Sequence, residues 1–340
     1  MAQAKRLPSG SWRVRIYIGK DSQGKQIFHS ITAATKREAE YEAAQYIASK
    51  DRLQSHDYTV AEAVAKVIEA KRDVLSPSTV RSYISIQKHH LDRIGGKYVS
   101  QVTSEDLQVL VSELSLTHSP KSVKNIYSFI LSAIQIYTDR VFRVVLPQRA
   151  PIEYSVPTDT EVKRLIDEAP DELRLAILLA AVGTLRRGEI CALKHKDVLR
   201  DFSAVYVHSD LVMGPDGFVL KEMPKTAGSV RRVILPKYII EMIPDGDPEE
   251  YIIKMDPNAL SYAFTVLRKR LGLSCRFHDL RHYAASILHA IGVPDQYIME
   301  RGGWSTDGTL KAVYRNTLSD KSKSFNQRAN EYFEEKLRKV

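Results

Sequence analysis

The sequence predicts a multidomain, mainly helical fold carrying two small antiparallel sheets. It divides into a small β-sheet-plus-helix domain at 1–52, an all-α bundle at 58–140, and a mainly α domain at 158–340 with a small antiparallel three-stranded sheet. Three observations carry this. Apolar residues alternate with period two near residues 12–18 and again between 203 and 235. Four helix-start signals follow one another between 59 and 120. Pro147, Pro151 and Pro157 then fall within a short stretch that reads as a linker.

In the first domain, Trp12 to Ile18 alternates, with Arg13 and Arg15 on one face and Trp12, Val14 and Ile16 on the other. Asp21 to Gly24 is turn-like, and Ile27 to Ile31 returns as the second strand of a hairpin. An Ala- and Glu-rich helix is expected from Lys36 to Ser49. The basic face suits a DNA groove or plain solvation, and the residues alone leave both open. Residues 54–57 are polar and mark the boundary. Thr59-Val60-Ala61-Glu62 then reads as a capping box, in which hydroxyl and carboxylate satisfy free amides at a helix start. Ser76-Pro77 opens a second helix, Thr103 a third and Ser119-Pro120 a fourth, the last carrying Val123, Ile126, Ile130, Ile134 and Tyr137. Thr158 and Glu161 repeat the box beyond the linker, and Leu173 to Val182 is apolar enough to be a buried helix. Strands are expected at Ala204–His208, Phe218–Leu220 and Arg231–Leu235, with Gly214 to Gly217 turning between the first two. Helices resume near 257 and continue to about 336.

The chain has 340 residues, 44% hydrophobic and 27% charged, as an ordinary folded protein does. No run of 18 apolar residues and no secretion signal follow Met1, so no membrane partner is expected and the cytoplasm is the expected compartment. Cys191 and Cys275 read as buried thiols. The net charge of +9 favours a polyanionic partner through counterion release. Within residues 1–52 there are ten Lys or Arg against five Asp or Glu.

Five segments of the last domain suit an anionic centre. Arg186, in Gly183-Thr184-Leu185-Arg186-Arg187-Gly188-Glu189, offers a permanently charged fork of donors for phosphate oxygens. Lys225, in Pro224-Lys225-Thr226, sits between expected strands and can give a proton to a leaving oxygen. His278 and Arg281 are three apart and share a helix face; His282 is an alternative donor. Trp304, after Gly302-Gly303, offers an indole N–H and no acceptor. Tyr314, one of 17 tyrosines, carries a phenol able to act as a nucleophile.

In order and spacing the five together resemble the tyrosine recombinase (phage integrase) family. That family reads as an Arg followed by Glu three residues on, a Lys in a β-turn, His-x-x-Arg, a His or Trp after Gly, and a Tyr about ten residues later. Two departures stand out: Gly183-Thr184 reverses the usual Thr-Gly order, and Trp304 replaces the more frequent His, which removes proton transfer from that position. The resemblance implies an N-terminal arm-binding domain at 1–52, a core-binding bundle at 58–140 and a catalytic domain from 158. It implies attack by Tyr314 on a DNA phosphate, with Arg186 and Arg281 clamping its oxygens, His278 and Trp304 adding donors, and Lys225 protonating the leaving oxygen. His278 acts either as general base or as hydrogen-bond donor.

The implied partners are double-stranded DNA attachment sites, a homotetramer on DNA and an accessory directionality factor. The apolar stripe of 329–337 suits docking in cis or in trans. No ATP motif or paired-carboxylate motif appears, so neither cofactor nor metal is expected. Two alternatives stand beside site-specific recombination for integration and excision of a mobile element: a type IB topoisomerase-like relaxing enzyme and a non-catalytic DNA-binding regulator.

Overall fold

The computed structural model describes residues 4–20, 26–54, 57–148, 156–222, 230–304 and 331. The chain forms two compact units, residues 1–150 and 151–340.

The first unit begins with strands β1 (Lys5–Arg6), β2 (Trp12–Lys20) and β3 (Gln26–Ala33), antiparallel in that order. Alternation buries Val14 and Ile16 against Ala39 and Ala43 of α1 (Lys36–Gln54). The opposite face pairs Arg13 with both Lys5 and Thr32, Arg15 with Ser30, and Tyr17 with Phe28. The Arg15 guanidinium lies 4.2 Å from the Phe28 ring centroid. Helix α1 runs past the expected Ser49 to Gln54, because Lys50 to Gln54 contains neither Gly nor Pro to stop it.

Four helices follow: α2 (Val60–Lys71), α3 (Pro77–His89), α4 (Ser104–Thr117) and α5 (Pro120–Gln135). Both expected threonine starts are capped. The Thr59 amide donates to the Glu62 carboxylate at 2.8 Å and Glu62 N donates back to the Thr59 hydroxyl; Thr103 and Asp106 repeat the arrangement. Each such cap contributes about 1 kcal/mol. Val64, Leu107, Ile130 and Ile134 meet in the bundle core, where Tyr83 stacks on Phe129. Helix α5 ends at Gln135, so Tyr137 lies just beyond it, edge-on to Tyr58.

The second unit opens with α6 (Asp159–Glu168), capped by Thr158 and Glu161, and α7 (Asp171–Ala181), which is buried over most of its length. Helix α8 (Arg187–Ala192) follows, then β4 (Val198–Leu199), β5 (Ala204–Val207), β6 (Asp210–Met213), β7 (Phe218–Lys221) and β8 (Arg231–Ile234). Helices α9 (Lys237–Glu241), α10 (Pro257–Arg270), α11 (Phe277–Ala290) and α12 (Asp295–Gly302) complete the described part.

The three-stranded sheet exists with a different membership from the one expected. Its order is β4-β5-β8, while Phe218–Lys221 pairs with β6 in a separate hairpin. The Gly214–Gly217 turn joins β6 to β7, Met213 facing Phe218 across it. Residues 208–213 separate this turn from β5, and a tight turn pairs the strands flush against it. Cys191 and Cys275 are free buried thiols, their pKa values pushed up by burial to about 12 and about 11. Among the described residues, no helix is long and apolar enough to cross a membrane.

Candidate active site

The site is assembled where the α7–α8 loop, β8, α11 and the end of α12 meet in the second unit. Arg186 stands in extended backbone just before α8. Its amide donates to Glu189 Oε2 at 2.8 Å and its Nη1 to Glu189 Oε1 at 2.5 Å. The three-residue gap thus gives one half of a capping box, the Glu189 carboxylate accepting the Arg186 amide, while the arginine side chain has no acceptor for the other half. Glu189 is 3% exposed and also receives both Nη groups of Arg231, at 3.1 and 2.8 Å. Burial alone would raise its pKa. The Arg231 hydrogen bonds and the charges of Arg231 and Arg186 overcome that and bring it to about 2.

Arg281, on α11, is 1% exposed. Its Nη1 donates to the Thr184 carbonyl and its Nη2 to the Gly302 carbonyl at 2.5 Å. Burial, then the like charge of Arg186, holds its pKa well below the ordinary value, with Glu189 opposing. Arg186 Nη2 takes the adjacent carbonyl, Gly303, at 2.8 Å. Two consecutive carbonyls at the C-terminal end of α12 thus hold the two arginines. Gly303 has φ +63°, the left-handed conformation that ends the helix and that glycine adopts freely. A Cβ at Gly302 would overlap the Trp304 ring, so close packing of the indole also requires that glycine.

Trp304 lies face-on to Arg281, ring centroid to guanidinium 3.9 Å, a cation–π contact. The indole face, rather than its N–H, is what meets the arginine. His278, one turn before Arg281, is exposed, and its ring meets His282 edge-on at 4.8 Å. Its pKa falls to about 4, first through the surrounding protein mass, then through His282 and Arg281. Asp279 braces the helix start, accepting the Arg276 amide at 2.7 Å.

The structure brings together Arg186, His278, Arg281 and Trp304. Lys225 and Tyr314 lie outside the described residues; β7 ends at Lys221 and β8 begins at Arg231, on either side of Lys225. Sequence reasoning assigns neither Arg231 nor Thr184 a place in this network. A signal exists for Arg231, since alternation in β8 puts it on the same face as buried Val233, and a buried arginine requires a carboxylate. Gly188 is a further hidden determinant: a Cβ there would overlap the Asp210 carboxylate, so its absence lets β6 pack on α8. Burial, then the nearby Glu189 charge, raises the Asp210 pKa.

Residues 156–320 match the phage integrase family. This part of the chain carries the phage integrase domain. The chain is 22% identical to a tyrosine recombinase XerC-like protein of Caldanaerobacter subterraneus over 95% of this chain and 96% of that protein. Among solved structures it resembles the Tn1549 transposon integrase in complex with circular intermediate DNA, with a TM-score of 0.64 and 18% identity, over 80% of this chain and 99% of that one. It also resembles a lambda integrase tetramer bound to a Holliday junction, with a TM-score of 0.57 and 18% identity, over 92% and 95%. The recombinase fold is accordingly mostly helical with small antiparallel sheets, and the enzyme breaks and rejoins DNA in site-specific recombination.

Proposed function

We propose that the pocket of Arg186, His278, Arg281 and Trp304 binds the scissile phosphate and that Tyr314 attacks it. The observation that carries this is the convergence of two arginines on adjacent carbonyls beside an exposed, neutral imidazole. Tyr314 Oη forms a bond to phosphorus, the bond to the 5′ oxygen breaks, and a 3′-phosphotyrosine results. Lys225 gives the departing oxygen its proton. Arg186 and Arg281 hold the non-bridging oxygens as charge grows on them. A guanidinium has five N–H groups, so those facing carbonyls leave others for phosphate. Because Trp304 covers Arg281, movement of the indole uncovers the guanidinium and brings an indole N–H toward the same phosphate. His278, uncharged near pH 7, is able to accept the tyrosine proton or to donate to an oxygen. Rejoining to a second strand conserves the phosphodiester energy and needs no nucleotide.

The substrate in this reading is a pair of double-stranded DNA attachment sites on a mobile element and its host, held by a homotetramer, with a directionality factor for excision. The sheet face of Lys5, Arg13 and Arg15 supports arm-type DNA binding by residues 1–52, and the 58–140 bundle supports core-site binding. The lambda integrase tetramer on a junction supports the assembly. Incubation with a suicide-substrate library and sequencing of the covalently trapped DNA tests this. The wild type is expected to yield one site and one cleavage position, and Tyr314→Phe to bind the same duplex without an adduct. A denaturation-resistant adduct in that variant rejects the nucleophile, and relaxation of supercoils without strand exchange rejects the recombination outcome.

A further inference from the structure

Thr184 is fully buried and has φ +60°, in the left-handed region. Among the described residues only one other non-glycine, Ser203, has positive φ. For a β-branched side chain that conformation is a genuine outlier, held in place by its surroundings. Its neighbour shows why the pair cannot be exchanged. A Cβ at Gly183 would come within 2.6 Å of the Leu179 carbonyl oxygen and 2.7 Å of Leu185 Cδ1, so glycine is required there for space. The residue whose backbone asks for glycine is instead the threonine.

The threonine makes contacts that glycine cannot. Its hydroxyl proton faces two carbonyls, Gly183 at 2.5 Å and Arg301 at 3.1 Å. The Arg301 carbonyl also accepts Arg231 Nε at 2.7 Å, and Arg301 Nη2 reaches back to the Val182 carbonyl at 3.1 Å. These bonds join the last turn of α12 to the α7–α8 loop. The next two carbonyls along, Gly302 and Gly303, hold Arg281 and Arg186, while the carbonyl of Thr184 itself takes the other arm of Arg281. We propose that Thr184 is a positioning residue: its hydroxyl latches Arg301, and the latch sets the spacing of the carbonyls that hold the two phosphate-binding arginines. The proposal rests on the reading of Arg186 and Arg281 as the phosphate clamp.

The experiment compares Thr184→Gly, which suits the backbone but lacks the hydroxyl, with Thr184→Ser, which keeps it. Single-turnover adduct formation is measured at saturating enzyme on the duplex recovered by covalent trapping, with duplex affinity and Tm measured in parallel. Thr184→Gly is expected to form adduct at least tenfold more slowly, with affinity within twofold and Tm unchanged or raised; Thr184→Ser is expected to stay within threefold of wild type. A second readout needs no DNA. With Trp12→Phe, Trp304 is the only tryptophan, and its emission and acrylamide quenching should change in Thr184→Gly but not in Thr184→Ser, as the stack on Arg281 loosens. Equal loss in both variants, a loss that tracks Tm, or no loss in Thr184→Gly overturns the latch. Arg281→Lys serves as the control: near-normal adduct formation in that variant sinks the clamp itself, whereas severe loss there beside an unaffected Thr184→Gly sinks the latch alone.

Discussion

At the scale of single residues, the pocket is an excess of guanidinium charge around one buried carboxylate. Glu189 neutralises part of it, and what remains is what a phosphate would meet. Beside it, the surrounding protein mass depresses the His278 pKa to about 4, with His282 and then Arg281 adding to the effect. The consequence has a definite sign. In the unfolded chain a histidine takes up its proton near 6.5, so between that pH and about 4 the unfolded state binds more protons than the folded one. His278 therefore favours the folded state fully above 6.5, and that contribution is lost as pH falls toward 4; solvent access to the ring moderates its size. NMR titration of the ring should give a midpoint near 4, moving upward in Arg281→Gln. A midpoint of 6 or above in the native chain would show that neither the surrounding protein nor the adjacent His282 and Arg281 depresses it.

At the scale of elements, the short helix α8 fixes the site, and its glycine is as necessary as its charges. Gly188→Ala should destabilise the protein by about 1–3 kcal/mol in urea unfolding, because the added methyl must displace Asp210 and with it β6. An unchanged midpoint would mean that the hairpin shifts freely. The elements themselves are largely legible in the sequence. Thr59, Thr103 and Thr158 announce helix starts because capping is chemistry local to four residues. Sheet membership is not legible: strands 204–208 and 218–220 have the right period, but periodicity carries no information on pairing partners, and the short β6 is hidden by polar Asp210. In the site, Arg186 and the His278–Arg281 pair can be read from spacing. The Arg231–Glu189 bond joins residues 42 apart, and such long-range pairings leave only the faint trace of a charged residue on a buried strand face. The unusual backbone of Thr184 leaves no trace beyond a reversed Gly-Thr order.

For the whole molecule, the net charge of +9 acquires a place as well as a magnitude. Lys5, Arg13 and Arg15 share one sheet face among exposed polar and aromatic side chains, which suits sequence-tolerant phosphate binding. Replacing Arg13 and Arg15 together by Ala should reduce the slope of log affinity against log salt by about 2, about one unit for each phosphate that is no longer neutralised. Cleavage at saturating enzyme should hardly change. An unaltered slope would identify this face as merely solvated.

The anchoring of β6 and β8 bears on the stretch between Lys221 and Arg231, which contains Lys225. At one end, β7 pairs with β6, which rests on Gly188; at the other, Arg231 is bound to Glu189, the very next residue. The described strands on either side of Lys225 are thus both tied to one post, the Gly188–Glu189 step of α8. In the reading of Lys225 as the proton donor, inserting a few Gly and Ser residues between Lys221 and Arg231 should leave stability nearly unchanged, since doubling the length of chain between two fixed points costs only about 0.6 kcal/mol. Cleavage should nonetheless slow markedly and recover on DNA with a 5′-phosphorothiolate leaving group, which needs no proton.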